Sequence, residues 1–434
     1  MMAASKLSSM MAYFTLVLSV SLISVTLVSG QCFKEDQVSE QPASEKATSE
    51  YQAVFYEQQL EFSLDMFHKL YNKENRTNLF FSPYSIHQAL IMTYFGAGGE
   101  TRKQLQTALH LKETDTKDEL IRAFKMENFY QETRSENTTQ YDLKVANRIF
   151  FSNEEPVRPC VQEIFSKEIE LLNIVNETET SREHINSWVE ENTRGKIKDL
   201  IGSGHMDKET RVAIANAAYF KGSWEQQFKK SNTKLALFYV SQKEVTPTMM
   251  MYQKGSFRHG VSEELKAYII ELPYEGEAIS MFILLPPFTP NALQDTISRL
   301  NASTLREAMD GMYPDSIEIF LPRFKIEQTF DLSQALRAVG VVDLFDEVAA
   351  NLTDFSEKPG LAIGSARHKS YLEVSEQGST AAAATALIGT RSGRPLDQTR
   401  FVCNHPFVFF IYDNALKNIL FMGAFHTPKS VEKS

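Results

Sequence analysis

The chain has 434 residues, of which 43% are hydrophobic and 23% charged, and its formal net charge at pH 7 is −10. This composition is typical of a folded globular protein and excludes a chain that is disordered as a whole. The acidic balance argues against nucleic acid as the main partner, because phosphate binding needs clustered lysine and arginine.

The first 30 residues have the pattern of a secretory signal peptide. Lys6 precedes an apolar stretch at 10–28, and small residues at 28–30 offer a cleavage site. A membrane anchor is the alternative, but serines and a threonine interrupt the stretch and no basic stop comes after it. We therefore expect a secreted, extracellular protein without a membrane anchor.

The rest of the chain divides into an extension and one domain. Residues 31–52 are polar and charged, so the sequence predicts a disordered extension there. No Pro/Gly/Ser-rich linker or charge run interrupts the remainder of the chain, which favours a single domain over residues 53–434.

The sequence contains three cysteines and five glycosylation sequons, and the sequons fit an exported protein. Three cysteines allow at most one internal disulfide and leave one thiol over, so this is not a disulfide scaffold. The pairing of Cys32, Cys160 and Cys403 stays open. Five Asn-x-Ser/Thr sequons predict surface glycosylation, at Asn75, Asn137, Asn176, Asn301 and Asn351.

Hydrophobic periodicity predicts helices mainly in the first half of the chain and strands mainly in the second. The predicted helices cover 54–71, 83–96, 101–111, 117–131, 160–172, 185–201 and 332–339. The predicted strands cover 79–81, 143–151, 212–224, 246–252, 267–274, 279–286, 317–324 and a terminal hairpin from 407. Helices followed by strands, with no βαβ alternation and no repeat, indicate an α+β fold.

The stretch SEQGSTAAAATALIGTRSGRP, at 375–395, contains only small residues between Ser379 and Ala386. Alanine favours helix, but small uncharged side chains can also slide between two existing strands. The strand-like flanks, YLEV before it and FVFFIY after it, favour a loop that can become a strand.

The segment HKSYLEVSEQGSTAAAATA closely resembles the hinge of the serpins. Six further landmarks appear in the family order: FFSPYSI with GAGGET, INSWVEENTRGKIKDLI, NAAYFKGSW, LPRF, HPFVFFIYD and LFMGAF. The resemblance implies a central five-stranded sheet, two smaller sheets, about nine helices and an exposed reactive-centre loop at 376–400.

The resemblance also implies a mechanism of protease inhibition. A protease cuts the loop and forms its acyl-enzyme, and the cut loop then inserts into the central sheet as a new strand. We found no nucleophile elbow, Walker loop or metal-binding motif, so neither an enzyme nor a cofactor or metal is expected. The predicted hinge is Glu376, Gly378 and, facing inward by strand alternation, Ser379, Ala381, Ala383 and Thr385.

Two further groups of residues are assigned by the resemblance. Ser82, Ser85, Asn216 and His368 match a hydrogen-bonded cluster where the sheet must open; the alternative is that they only cap helices and turns. Trp224, Arg323 and Glu376 match the place where insertion begins, with a Glu376–Arg323 ion pair expected.

The scissile bond is predicted with two alternatives. Serpin spacing places the residue before the bond sixteen after Glu376, which gives Ser392–Gly393. A trypsin-like protease prefers arginine, because its acidic pocket binds a guanidinium. We favour Arg391–Ser392 and a trypsin-like target, with an elastase-like or subtilisin-like target for the other bond.

Other functions and partners stay open. A secreted serpin can also be a non-inhibitory carrier or chaperone, although small hinge residues favour an inhibitor. A glycosaminoglycan activator is weakly supported by Arg122 and Lys125 on one predicted helix face, beside the acidic Asp118, Glu119 and Glu127. We expect a monomer.

Overall fold

The computed structural model describes residues 45–71, 77–138, 140–377 and 399–428. Within them lie nine α-helices and fourteen β-strands, which confirms the predicted α+β class. The helices are α1 Glu45–Leu70, α2 Pro83–Gly96, α3 Gly99–Ala108, α4 Lys117–Asn137, α5 Pro159–Ile164, α6 Thr178–Asn192, α7 Ala292–Arg299, α8 Ala302–Asp310 and α9 Leu332–Ala338. The strands are β1 Leu79–Phe81, β2 Tyr141–Ser152, β3 Ile169–Leu172, β4 Val212–Gly222, β5 Lys234–Tyr239, β6 Val245–Ser262, β7 Ala267–Pro273, β8 Ile279–Leu285, β9 Tyr313–Pro322, β10 Phe324–Asp331, β11 Ser365–Val374, β12 Thr399–Val402, β13 Phe407–Asp413 and β14 Asn418–Phe425.

The central sheet has five strands, as predicted, and their order is β10-β11-β4-β2-β3. Within this sheet, the adjacent strands β11 and β4 run parallel to each other. Ser365–Leu372 of β11 pair residue by residue with Ala213–Phe220 of β4. We call this line of pairing the seam. On either side of it, β10 and β2 pair antiparallel with β11 and β4.

The other nine strands form one hydrogen-bonded assembly rather than two separate sheets. Strand β6 is 18 residues long and pairs with β5, β9 and β7 along successive parts of its length. The two smaller sheets expected from the sequence are therefore continuous through β6.

Helix α2 lies in the core between the sheets, and all of its residues are buried. The Ser82 hydroxyl caps its first turn by accepting the Ser85 backbone N–H, and Pro83 occupies the first helical turn, where a missing N–H costs nothing. Its residues are mainly apolar and it has no solvated face, as expected of a helix inside a protein. Its start places two serines directly beneath the seam.

The structure corrects three predicted boundaries. Helix α1 starts at Glu45, so the last eight residues of the predicted disordered extension are helical; Tyr51 packs against the core and Gln52 is buried. The predicted helix at 160–172 is the short α5 followed by strand β3. The predicted helix at 185–201 is α6, which ends at Asn192 before a turn in which Gly195 has a φ of +71°.

Candidate functional site: a parallel seam beneath the loop

The loop predicted to react with a protease leaves the central sheet at the end of β11. Ser375 to Gln377 come directly after Val374, and the described chain resumes at Thr399 in β12. Residues 378–398 lie outside the described residues. They include the predicted hinge residues Gly378, Ser379, Ala381, Ala383 and Thr385 and the candidate bond residues Arg391, Ser392 and Gly393.

The structure brings Ser82, Ser85, Asn216 and His368 together on one side of the seam. His368 of β11 lies directly opposite Asn216 of β4, and their side chains are hydrogen-bonded. The Ser82 backbone N–H donates to His368 Nε2 at 3.1 Å, and Asn216 Nδ2 donates to the Ser85 carbonyl at 2.7 Å. The start of α2 therefore touches both strands of the seam.

Asn147 of β2 is a fifth member of this cluster that the sequence analysis missed. Its amide oxygen accepts hydrogen bonds from Ser85 Oγ at 2.8 Å and from Asn216 Nδ2 at 2.6 Å. Asn147 pairs directly with Asn216 across β2 and β4. The available signal was an asparagine inside the apolar strand LKVANRIFF.

The donors around His368 determine its tautomer. A backbone N–H can only donate, so the nitrogen that accepts it from Ser82, Nε2, carries no proton. Nδ1 therefore carries the proton and donates it to the Asn216 amide oxygen. Complete burial lowers the pKa of His368 to about 3, so the imidazole is neutral at physiological pH. The cluster is thus a neutral polar network, which is stable in the interior because its members satisfy one another.

A second group holds the base of the loop. The Trp224 indole N–H donates to the Ser375 carbonyl at 2.9 Å, and the Phe228 N–H donates to the Glu376 carbonyl at 2.9 Å. The Glu376 carboxylate is almost fully buried and accepts the Thr233 hydroxyl at 2.8 Å. Thr233 is a contact that the sequence analysis missed.

Arg323 also reaches Glu376, but more weakly than the sequence predicted. Its Nη1 lies 3.8 Å from Glu376 Oε1, and half of the arginine side chain is exposed. An ion pair of this length and exposure contributes little. The loop base is therefore held mainly by Trp224, Phe228 and Thr233.

The two cations suggested for a glycosaminoglycan are both engaged by carboxylates. Arg122 is buried against Asp118, four residues earlier on α4. Lys125 Nζ lies 3.0 Å from Glu168 Oε1. A polyanion would have to displace these partners, so the structure does not support a glycosaminoglycan site at Arg122 and Lys125.

The predicted glycosylation sequons lie in different surroundings. Asn75 and the side chain of Asn137 lie outside what the structure describes. Asn176 is exposed, Asn301 caps the first turn of α8, and Asn351 is half-buried. Glycosylation at these positions stays a prediction.

The described residues were also searched for reactive cysteines, metal sites and membrane-spanning helices. Cys403 carries a free thiol whose pKa burial raises well above its usual value, and Cys160 is disulfide-bonded, whereas Cys32 lies outside the described part of the chain. Within the described ranges, no three His, Cys, Asp or Glu side chains are grouped so that they could hold a metal ion, and no helix is long and apolar enough to cross a membrane.

The profile of the serpin family, described as serine protease inhibitor, matches residues 57–428. The chain belongs to the serpin family. Serine protease inhibitor 88Ea of Drosophila melanogaster is 37% identical over 393 residues, which cover 87% of this chain and 92% of that protein. The leukocyte elastase inhibitor of Sus scrofa is 37% identical over 380 residues, covering 85% of this serpin and 97% of that protein.

A solved structure agrees with the fold. The crystal structure of uncleaved ovalbumin superposes with a TM-score of 0.76 and 29% sequence identity, covering 86% of this serpin and all of that chain. The resemblance found in the sequence is therefore confirmed. The family description makes protease inhibition, in general terms, the function of this chain and a protease its partner.

Proposed function

We propose that this serpin traps a trypsin-like serine protease as a suicide substrate, by inserting its cut loop into the seam. The observation that carries the proposal is a match of length. The seam pairs eight residues of β11, Ser365–Leu372, with eight of β4, and the nine consecutive small residues Gly378–Ala386, before Leu387, are enough to span it.

The direction of the strands also favours insertion at this place. A chain that leaves β11 and turns back runs antiparallel to β11, and since β4 is parallel to β11, it runs antiparallel to β4 as well. Insertion would thus replace one parallel pairing by two antiparallel ones, which are slightly more stable per residue. The intact protein is on this account kinetically trapped with its loop outside the sheet.

The chemistry belongs to the protease. Its serine oxygen attacks the Arg391 carbonyl carbon, the peptide bond to Ser392 breaks, and the new amine of Ser392 leaves with the proton that the protease's histidine supplies. Arg391 remains joined to the protease as an ester. Insertion of the upstream loop then drags the protease away before water hydrolyses that ester.

Arg391 suits the acidic pocket of a trypsin-like protease. A second candidate, an elastase-like or subtilisin-like target cutting at Ser392–Gly393, is favoured by the sixteen-residue spacing from Glu376 and by the name of the porcine relative, an elastase inhibitor.

The test is incubation with trypsin, pancreatic elastase and subtilisin in turn, with a denaturing gel and mass analysis of the released C-terminal peptide. We expect an SDS-stable complex with trypsin and a peptide that begins at Ser392. Cleavage by trypsin without a stable complex would instead fit a carrier or chaperone. A released peptide that begins at Gly393 would show that the scissile bond is Ser392–Gly393.

We also propose that the protein acts outside the cell. The apolar stretch at 10–28 and the small residues before Gln31 support this part of the proposal. Sequencing the N-terminus of the exported protein tests it: we expect Gln31 as the first residue, and retention of the full chain inside cells would contradict it.

A further inference from the structure

The hairpin of β5 and β6 exposes an apolar face to solvent. Leu235 and Leu237 of β5 point to the same side, because side chains alternate along a strand, and they are 63% and 51% exposed. Tyr239 follows on that side, and its pairing partner on β6, Val245, is 50% exposed. The pairing partner of Leu237 is Pro247, which is exposed as well. We call these five residues the hairpin patch.

The hairpin patch continues onto a loop from another part of the chain. The centroid of the Tyr239 ring lies 5.5 Å from that of Phe288, which is itself exposed. The sequence around Phe288, PPFTPNALQ at 286–294, contains no charged side chain. A contiguous exposed apolar surface marks a place where a protein meets another molecule or a membrane.

Four lysines flank the hairpin patch. Lys229 and Lys230 lie in the turn before β5, Lys234 is the first residue of β5, and Lys243 lies in the connection from β5 to β6. All four are exposed, and none of them forms an ion pair with another residue that the structure describes. No acidic residue lies between the first and the last of these lysines, and Glu244 follows the last. In a chain whose net charge is −10, this is a local excess of positive charge.

The composition of this surface favours a lipid bilayer over a protein partner. Protein interfaces are depleted in lysine, and the residues that dominate their binding energy are tryptophan, tyrosine and arginine rather than leucine or valine. Membrane-surface segments combine apolar side chains with lysines, because the apolar groups enter the headgroup region and the ammonium groups are attracted by anionic lipids. The hairpin patch with its four lysines has the second composition.

We propose that the β5–β6 hairpin docks this protein on a membrane surface that contains anionic phospholipids. Leu235, Leu237 and Phe288 enter the headgroup region, and the four lysines contact the lipid phosphates. The contact is peripheral, since the apolar side chains come from a hairpin and a loop. The docking goes beyond the proposed function and does not depend on it. Because β5 begins directly after Thr233, which binds Glu376 at the base of the loop, docking holds the loop near the membrane.

Co-sedimentation of the intact protein with lipid vesicles tests the docking. We expect binding to vesicles of phosphatidylserine and phosphatidylcholine, no binding to vesicles of phosphatidylcholine alone, and weaker binding as the salt concentration rises. Lys229→Gln/Lys230→Gln should weaken binding about 25-fold, since each lysine near an anionic surface contributes about fivefold. Leu237→Thr should weaken binding about tenfold, because it removes apolar surface while threonine keeps the preference for a strand.

Two matched variants carry the same changes away from the hairpin. Lys112→Gln/Lys208→Gln removes two exposed lysines, and Leu171→Thr changes an exposed leucine on β3. Both should bind the vesicles as the parent does. Thermal unfolding of every variant, compared with that of the parent, checks that the fold is intact.

Binding to the anionic vesicles that the hairpin variants lose and the matched variants keep would support the docking. Absence of binding by the parent, or equal binding by all variants, would refute it. If the parent binds no vesicles and the hairpin variants form the complex with trypsin more slowly than the matched variants, the surface contacts the protease and the lipid proposal is wrong. Failure of the parent to trap trypsin, by contrast, would refute only the proposed function.

Discussion

His368 on β11 and Asn216 on β4 are direct neighbours across the parallel seam, and a hydrogen bond from the imidazole Nδ1–H to the amide oxygen joins them. An inserted strand would increase the separation of β11 and β4 from about 5 Å to about 10 Å. This bond can therefore exist only while the seam is closed. On the proposed mechanism, this bond stabilises the intact form and is absent after insertion.

The first prediction concerns Asn216→Ala, which removes the central amide of the cluster. We expect the intact protein to lose about 2 to 3 kcal/mol, because the buried His368 Nδ1–H and the Ser85 carbonyl each lose a partner. The loop-cleaved protein should lose less, since the seam is open in it. Urea unfolding of both forms measures the difference. The matched control is Asn192→Ala, whose exposed amide donates to the Trp188 carbonyl away from the seam. Equal losses of stability in the intact and the cleaved Asn216→Ala variant would contradict the account.

The second prediction is a dependence of stability on pH. Burial lowers the pKa of His87, as of His368, from 6.5 to about 3. The two histidines therefore bind protons below about pH 6.5 in the unfolded chain but not in the folded chain. Their contribution to the free energy of unfolding is fully present above pH 6.5 and is lost as the pH falls toward 3. Each histidine should remove about 2 kcal/mol between pH 7 and pH 5.

His87→Gln tests this dependence away from the seam. Its free energy of unfolding should fall by about 2 kcal/mol less than that of the parent between pH 7 and pH 5, because one titrating group is gone. His205 is exposed, and His205→Gln should behave like the parent. A parent-like fall in the His87 variant would show that burial of this imidazole does not govern the effect.

The third prediction tests the alternation of the hinge. Ala383 is expected to face inward after insertion and Ala384 outward. Ala383→Glu should bury a charge and slow insertion, so the protease escapes and more inhibitor is consumed per protease inactivated. Ala384→Glu is its matched control and should inhibit like the parent. The measurement is the stoichiometry of inhibition with trypsin. If Ala384→Glu raised it and Ala383→Glu did not, the inserted strand would have a register one residue away from the predicted one.

The resemblance to the serpins predicted the polar cluster and the loop base, whereas short-range rules alone predicted only local features. Ser82 and Pro83 mark the start of α2 by capping chemistry alone. The sequence did not predict the contacts that depend on register between distant strands, such as Asn147 with Asn216 or Thr233 with Glu376. Helical spacing placed Arg122 and Lys125 on one face, but only the packing of α4 shows that both are engaged by carboxylates.

The most direct test of insertion between β11 and β4 is a disulfide across the seam. Ser370 and Ala218 are directly paired, small and buried, and adjacent strands lie about 4.8 Å apart, within the range that a disulfide spans. The oxidised Ser370→Cys/Ala218→Cys variant cannot open its seam. The parent and each single variant, with and without dithiothreitol, control for reduction at Cys160.

The measurement is the trypsin activity that remains after incubation with a molar excess of the double variant, together with a denaturing gel. We predict that the oxidised variant is cut in the loop, forms no stable complex and leaves trypsin fully active. Reduction should restore both the complex and the loss of activity. If the oxidised variant inactivates trypsin as completely as the reduced one, the loop does not insert between β11 and β4.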